Sequence, residues 1–215
     1  MQSEKLITVL MAVYNTDFII VKRAIDSVLN QDYKNFELIV IDDGSQTDID
    51  NQLLNYLKKY ESRVSYLRHI NCGQSESINR GILNSKGEYI TIIDADDEYK
   101  PNHLRACLQE IQEFDLIAST TDTIVDIESD FYVTDKNNYN QLIHVDNCIL
   151  FATLFGKKEV FMNLKFQQGY SADSLFFELA SLEYKTKKVN LRTYIYYRNS
   201  PNSLCSNMKN NFANN

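Results

Sequence analysis

The stretch at residues 87–101 reads GEYITIIDADDEYKP, and it decides the fold class of the chain. Its first part, residues 88–93, is a short apolar run rich in β-branched residues, which is typical of a buried strand. Acidic residues follow the strand directly, and Pro101 stands where the next helix is expected to begin. A buried strand that leads through a polar loop into a helix is the repeating unit of parallel α/β proteins.

The same unit recurs on both sides of this stretch. Similar apolar runs predict four more strands, at 6–13, 36–41, 64–70 and 114–119. Residues with apolar side chains at helical spacing fill the intervals, for example Val21, Ala24, Ile25 and Val28. The alternation predicts a single α/β domain with a mostly parallel central sheet and helices on both faces. In such sheets ligands bind at the carboxyl ends of the strands, so the loops there are the expected functional region.

The second half of the chain has a less regular pattern. Residues 121–145 contain strand-like pieces with polar breaks, and residues 164–174 read as a loop. A helix is predicted over 174–184 and a last strand over 189–197. The tail at 201–215 is rich in Asn and Ser, and we expect it to be frayed.

The overall charge restricts the kinds of partner. The 215 residues include 22 Lys and Arg against 29 Asp and Glu, which gives a net charge of −7. Such a chain repels nucleic acid and anionic membranes at long range, so we expect no nucleic-acid partner. Any phosphate must therefore be held by a local device, such as a metal ion or backbone amides.

Cysteine and apolar patterns indicate the compartment. The four cysteines and three histidines show no zinc-ligand spacing, so we expect reduced cysteines in a reducing compartment and structural or surface histidines. The longest apolar runs are about eight residues, far below the roughly 20 that cross a bilayer. No signal-peptide pattern opens the chain. The expectation is a cytoplasmic protein without an integral membrane segment, with peripheral attachment to the inner face of a membrane left open.

Asp94 and Asp96 form an acidic pair directly after the central strand. On extended backbone, side chains at i and i+2 point the same way, so the two carboxylates could hold Mg²⁺ or Mn²⁺. The alternative is a solvated acidic turn that ends the strand.

Four other residues carry candidate chemistry and a structural alternative. Asp42 and Asp43 close the second strand in the run DDGS, which is also favourable turn and helix-cap chemistry. Tyr14 follows the first strand, where its ring could stack on a base or pack at the rim. Asp173 precedes the late helix, where it could act as an acid–base group or as the helix N-cap.

Taken together, the ordered motifs resemble a known family. VLMAVYN at 9–15, IVIDDGS at 39–45, GQSESINRGI at 73–82 and GEYITIIDADDEYKP at 87–101 are similar in order and spacing to family 2 glycosyltransferases of the GT-A fold. The resemblance continues more loosely at 170–173 and at Tyr197-Arg198. It implies an inverting enzyme that moves a sugar from a nucleoside diphosphate, UDP by family habit, to a hydroxyl of a glycan, lipid-linked or protein acceptor.

The resemblance also implies roles on the nucleotide side. Tyr14 would lie against the base, and Asp43 would contact the base or ribose with Asp42 close by. Asp94 would face the ribose or the metal, and Asp96 would bind Mn²⁺ or Mg²⁺ directly. In this scheme residues 1–120 form the nucleotide-sugar-binding half of the domain.

The acceptor-side half is then residues 121–200. Asp173 matches the general base, with Glu178 as the second choice for an acid in this region. Arg198 could approach the diphosphate, where a basic side chain helps the leaving group, or form a surface salt bridge.

Two alternatives to a glycosyltransferase remain at this stage. A nucleotidyltransferase usually has a Gly-rich, basic loop after its first strand, but residues 14–17 here contain neither Gly nor Lys. A non-catalytic binding module is the second alternative, because Asn199 and Ser200 stand where many relatives carry a His. The intact set Asp94, Asp96 and Asp173 argues against loss of activity.

Overall fold

The strands and helices of the chain alternate as predicted through the first half. The structure, a computed structural model, describes residues 4–46, 48–138 and 140–198. In chain order the strands are β1 (Ile7–Val13), β2 (Phe36–Asp42), β3 (Val64–Arg68), β4 (Tyr89–Ile92), β5 (Glu98–Tyr99), β6 (Leu116–Ile124), β7 (Tyr132–Thr134), β8 (Leu142–His144), β9 (Leu154–Lys157) and β10 (Thr186–Tyr197). The α-helices are α1 (Phe18–Leu29), α2 (Ile49–Leu57), α3 (Gln74–Asn84), α4 (His103–Glu110), α5 (Lys158–Leu164) and α6 (Ala172–Glu183).

Eight strands form one sheet in the order β3-β2-β1-β4-β9-β6-β10-β5. β1 pairs in parallel with β2 and β4, and β2 with β3. β9 runs antiparallel between β4 and β6, and β5 pairs antiparallel with β10 at the edge. The remaining strands share one direction, which confirms the predicted mostly parallel sheet. β7 and β8 form a separate hairpin.

Two buried clusters cover the two faces of this sheet. Alternate residues of β1 enter different clusters, with Val9 and Met11 in one and Leu10 in the other. The first cluster includes buried residues of α1, α2 and α4, and the second includes buried residues of α3, α5 and α6. The predicted helices on both faces are therefore confirmed, and the period-2 alternation of the strand explains how both faces bury apolar surface.

The second half departs most from the sequence prediction. β5, β9 and α5 were not predicted, and β6 extends to Ile124 rather than ending near residue 119. β9 is only four residues long and includes Gly156, where an added Cβ would lie 2.7 Å from Leu116 Cδ1. A strand so short carries too little periodicity to be recognised, and it is stable here because it pairs on both sides.

Several expectations fall on parts of the chain that are described only partly. The tail at 201–215 and Asn199 and Ser200 lie outside the described residues.

Cys72, Cys107 and Cys148 are free thiols. Among the helices of the described ranges, none combines the length and the apolar character that crossing a bilayer requires.

Candidate active site

The loops after β1 and β2 are joined at the carboxyl edge of the sheet. Asn15 has a left-handed backbone (φ 50°), and its N–H donates to Ser45 Oγ at 3.0 Å. Its side-chain Oδ1 accepts from the backbone N–H of Gln46 at 2.8 Å. Tyr14 precedes this junction and is 47% exposed, so its ring lies at the rim and is accessible to a flat ligand.

Asp42, the last residue of β2, is fully buried and holds the turn that follows it. Its Oδ1 accepts from the N–H of Ser45 at 2.8 Å, and its Oδ2 accepts from the Tyr66 hydroxyl at 2.8 Å. Burial and this hydrogen bond raise the pKa of Tyr66. Both carboxylate oxygens of Asp42 thus bind groups of the protein itself. These contacts agree with the alternative that Asp42 stabilises the turn.

Asp43 binds the loop between β3 and α3. Its Oδ2 accepts from Asn71 Nδ2 at 3.0 Å and from the N–H of Gly73 at 2.9 Å, and its Oδ1 accepts from the N–H of Cys72 at 2.8 Å. Gly44 allows the two loops to approach, because its φ is 74° and an added Cβ would lie 2.6 Å from Asn71 N. Asp43 therefore fixes the loop that leads into α3.

The Asp94–Asp97 segment is not extended, which corrects one premise of the sequence analysis. β4 ends at Ile92, and a turn follows in which Asp97 N–H donates to Asp94 O at 3.2 Å. The i, i+2 alternation of a strand therefore does not describe Asp94 and Asp96. Arg23 Nη2 donates to the backbone carbonyl of Asp96 at 2.6 Å, which steadies the turn from α1.

The turn nevertheless brings three of the predicted carboxylates into electrostatic contact. Gln74 Nε2 donates to Asp94 Oδ1 at 2.8 Å. Burial and the charges of Asp96 and Asp173 raise the pKa of Asp94 to about 7. Because the charge of Asp173 acts on Asp94 from 79 positions along the chain, the fold has gathered these acids at one place.

Asp97 is buried and ties the turn to β10. Its Oδ2 accepts from the Tyr194 hydroxyl, and its Oδ1 accepts from the N–H of Tyr197 at 2.8 Å. The Tyr194 oxygen also accepts from Asp94 N–H at 3.4 Å. Burial and the neighbouring acids raise the pKa of Asp97 well above its usual range. These hydrogen bonds hold the turn at residues 94–97, called the acidic turn below, against β10.

Asp173 lies in the first turn of α6. The helix begins at Ala172 and its N-cap is Ser171, so the expectation that Asp173 is the N-cap is wrong by two residues. Its Oδ1 still accepts a hydrogen bond from Ser174 N–H in the first turn of the helix, at 2.7 Å. Its Oδ2 accepts from the N–H of Phe151 at 3.2 Å. Burial raises the pKa of Asp173 to about 6, although these hydrogen bonds oppose the shift.

A cavity of about 340 Å³ opens beside Asp173. Its walls come from the β7–β8 hairpin, the segment before β9 and α6. They combine aromatic and polar side chains, among them Tyr170, Phe177, Asn137 and Asn147. Glu178 also lines this cavity, where it pairs with Lys136.

Arg198 is buried rather than on the surface. Its Nε donates to the backbone carbonyl of Asp130 at 3.1 Å, and its N–H donates to Ile124 O at 2.9 Å. These contacts hold the end of β10 against the segment 128–131. Because Arg198 is buried, the alternative that it forms a surface salt bridge is wrong.

Three residues of the site were not singled out from the sequence: Gln74, Tyr194 and Arg23. Gln74 stands inside the quoted run GQSESINRGI, so its motif was recognised but its contact was not. Tyr194 and Arg23 reach the acidic turn from β10 and α1. No local signal could have found them, because their roles arise only from tertiary contacts.

The comparison with known families agrees with the geometry. The model of glycosyl transferase family 2 matches residues 8–171. The chain belongs to this family. The match runs from the second residue of β1 through α5 to the residue before α6, so it includes the acidic turn. Three candidate residues lie outside it: Asp173, Glu178 and Arg198.

Curated family relatives are longer than this chain. Glycosyltransferase GlyG of Streptococcus pneumoniae serotype 4 is 34% identical over 146 residues, which is 67% of this chain and 46% of GlyG. Glycosyltransferase GlyA of the same organism is 28% identical over 158 residues, 72% of this chain and 22% of GlyA. The chain thus spans less than half the length of either relative.

Solved structures of low sequence identity share the fold. S. aureus TarS 1-349 in complex with UDP-GlcNAc superposes with a TM-score of 0.70 at 19% identity, covering 94% of this chain and 60% of that chain. Mannosyltransferase PcManGT from Pyrobaculum calidifontis in complex with GDP-Man and Mn²⁺ has a TM-score of 0.69 at 14% identity, covering 88% and 56%. These likenesses support the GT-A-like architecture.

Proposed function

We propose that this protein transfers a sugar from a nucleoside diphosphate donor to an acceptor hydroxyl in glycan biosynthesis. The observation that carries the proposal is the gathering of Asp94, Asp96 and Asp173 at the carboxyl edge of the sheet, where Asp96 and Asp173 raise the pKa of Asp94. Ligands of open α/β sheets bind at this edge. UDP is the proposed nucleotide, since TarS has been solved with UDP and with UDP-GlcNAc.

The residues of the acidic turn fit a divalent cation. Asp96 and Asp94 offer hard oxygen ligands, the type that Mg²⁺ and Mn²⁺ prefer. Gln74 donates to Asp94 Oδ1 as a neutral group, so this hydrogen bond brings no positive charge to offset the repulsion from Asp96 and Asp173. A cation bound there would neutralise the charge that develops on the leaving diphosphate.

Asp173 is the proposed general base. Its pKa of about 6 leaves it mostly ionised near neutral pH while keeping it basic enough to accept a proton. The carboxylate would take the proton of the acceptor hydroxyl as the hydroxyl oxygen attacks the anomeric carbon. One displacement from the face opposite the diphosphate inverts that carbon.

The nucleotide would lie over the loops after β1 and β2. The exposed ring of Tyr14 is placed to contact the base, and Asp43 lies at the same edge beside the entry to α3. Asp42 would act as a positioning residue, since its carboxylate holds Ser45 and Tyr66. Arg198 would also act indirectly, by securing the end of β10 through the Asp130 carbonyl.

The acceptor would enter the cavity beside Asp173. All of its lining residues lie between Val133 and Lys188, which supports the division into a nucleotide half at 1–120 and an acceptor half at 121–200. Aromatic rings beside amide and carboxylate groups suit a polyhydroxylated sugar. A glycan, a lipid-linked sugar or a glycosylated protein could each present such a group.

Donor turnover tests the proposal. Purified protein is incubated with UDP-GlcNAc or GDP-mannose, with saccharide acceptors, and with Mn²⁺ or EDTA, and released nucleotide is measured. We expect metal-dependent release that Asp96→Ala abolishes and that Asp173→Asn reduces without loss of donor binding. Asp32→Ala is the matched control, because Asp32 is an exposed partner of Arg105 away from the site. Donor binding without turnover in any mixture would instead indicate a binding module.

A further inference from the structure

A second group of potential metal ligands lies beside the acidic turn, and it uses different donor atoms. Asp43 Oδ1, His69 Nδ1 and Cys72 Sγ converge where the β3–α3 loop meets the end of β2. This group could not be recognised in the sequence, because its members come from two loops and lack zinc-finger spacing. We propose that these three residues bind Zn²⁺ or a similar thiophilic divalent ion, at a site separate from Asp94 and Asp96.

The distances between the donor atoms match one face of a tetrahedral zinc site. Sγ of Cys72 lies 3.4 Å from Nδ1 of His69 and 3.5 Å from Oδ1 of Asp43. The His69 Nδ1 to Asp43 Oδ1 distance is 3.4 Å. Bonds of about 2.3 Å to sulfur and about 2.0 Å to nitrogen and oxygen, at tetrahedral angles, place the ligand atoms roughly 3.3–3.6 Å apart. An ion could therefore bind all three with little movement of the loop.

The chemistry of the donor set separates this site from the acidic turn. Thiolate, imidazole and carboxylate together favour Zn²⁺, whereas an all-oxygen pair favours Mg²⁺ or Mn²⁺. His69 and Cys72 are both partly exposed, so an ion can reach them and water can supply the fourth ligand.

The surrounding contacts orient the ligands. Asn71 Nδ2 and the N–H of Gly73 hold the other carboxylate oxygen of Asp43, which turns Oδ1 toward the sulfur. Gly73 has φ 90°, a conformation that an L-residue rarely adopts, so the sharp entry to α3 keeps Cys72 against Asp43. Such outer contacts on a carboxylate are typical of bound-metal sites.

Binding would require one proton to leave and one to move. The Cys72 thiol loses its proton to solvent when sulfur bonds the ion. His69 Nδ1 now lies 2.9 Å from Ile70 O, so its proton must pass to Nε2, which has no hydrogen-bond partner among the described residues. The site should therefore bind metal more tightly as pH rises.

A bound ion here would oppose nucleotide binding. This consequence rests on the proposed function, because it assumes that Asp43 faces the base or ribose of the donor. Zn²⁺ would then act as a competitive inhibitor, while Mn²⁺ at the acidic turn supports the reaction.

Cobalt substitution tests the site directly. The reduced protein is titrated with Co²⁺, and we expect a sulfur-to-cobalt charge-transfer band with the intense visible bands of tetrahedral Co²⁺, which added Zn²⁺ removes. Cys72→Ser should abolish the charge-transfer band, and His69→Gln should weaken Co²⁺ binding at least tenfold. Cys148→Ser and Asp96→Ala should retain the band, since they alter a thiol and a carboxylate outside the group.

Two results would overturn the proposal: absence of the band in the wild type at millimolar Co²⁺, or its persistence in Cys72→Ser. Unchanged melting temperatures of the metal-free variants would show that they fold. UDP competition is measured separately, so that failure of nucleotide binding leaves the spectroscopic result standing.

Discussion

Asp94 illustrates how a single residue of the site opposes folding. Its pKa is about 7 in the folded chain, against roughly 3.9 for an unfolded Asp. Between these values the folded state binds more protons than the unfolded state, so the free energy of unfolding falls as pH rises. The stabilising contribution is complete below about pH 4 and is lost as pH rises through 7.

Asp94→Asn should therefore stabilise the metal-free protein at pH 8. The amide keeps an acceptor for Gln74 and removes the buried charge, so we expect a gain of about 1 kcal/mol or more, or about 2 °C or more in Tm. The gain should shrink at pH 4, where Asp94 is already protonated. Thermal melts in EDTA at both pH values measure it, and a lower Tm for Asp94→Asn at pH 8 would contradict the account.

Asp173 should set the acidic limb of the pH–rate profile. A base must be ionised to accept a proton, so kcat should rise with pH through about 6. Asp173→Asn should lower kcat by roughly 10²–10⁴-fold. Glu178→Gln is the comparison, because Glu178 lines the same cavity and pairs with Lys136. A larger kcat loss in Glu178→Gln than in Asp173→Asn would assign the base to Glu178.

The sequence indicated the acidic residues of this site but not what holds them. Asp42, Asp43, Asp94 and Asp96 follow predicted strands, and strand order alone places them at one edge. The contact of Gln74 with Asp94 joins α3 to the β4 loop, and nothing in either segment specifies it. The hydrogen bond from Phe151 N–H to Asp173 Oδ2 likewise joins residues 22 positions apart, and no local pattern specifies it.

At the scale of elements, β10 supports the turn that carries the acids. The Tyr194 hydroxyl contacts both Asp97 and the Asp94 N–H, so one strand fixes the loop of another. Tyr194→Phe should leave a buried carboxylate oxygen without this donor and cost about 1–3 kcal/mol of stability. Tyr197→Phe removes a hydroxyl bond to the half-buried Glu98 and should cost less. Urea denaturation of both variants measures the two losses in the free energy of unfolding. Equal losses would contradict the larger contribution expected of the buried hydrogen bond between Tyr194 and Asp97.

The elements themselves were predictable where their patterns are long. β1 and β2 carry many buried apolar residues, and the structure has them within one residue of their predicted bounds. The predicted apolar stripe Val21, Ala24, Ile25 and Val28 is the buried face of α1. β9 was missed because four residues cannot display a period, and its place between β4 and β6 depends on pairing with both. β5 is shorter still, with two residues at the sheet edge.

At the scale of the whole molecule, the net negative charge determines how an anionic ligand could be bound. A chain of net charge −7 repels a nucleoside diphosphate at long range, so the proposed function requires local contacts to hold the ligand. The proposed cation at the acidic turn and the loops of the sheet edge would supply them. Removing the cation should therefore remove nucleotide binding altogether. Rising salt should weaken the long-range repulsion and leave the local contacts largely intact.

A thermal-shift measurement with UDP, GDP, CDP and dTDP, each with Mn²⁺ and with EDTA, tests this central claim most directly. A ligand that binds the folded state raises Tm by mass action. We predict that one diphosphate, UDP, raises Tm with Mn²⁺ but not with EDTA, and that Asp96→Ala abolishes the shift while Asp32→Ala retains it. A nucleotide shift that survives EDTA and Asp96→Ala, or no shift with any nucleotide, would contradict the assignment of the acidic turn.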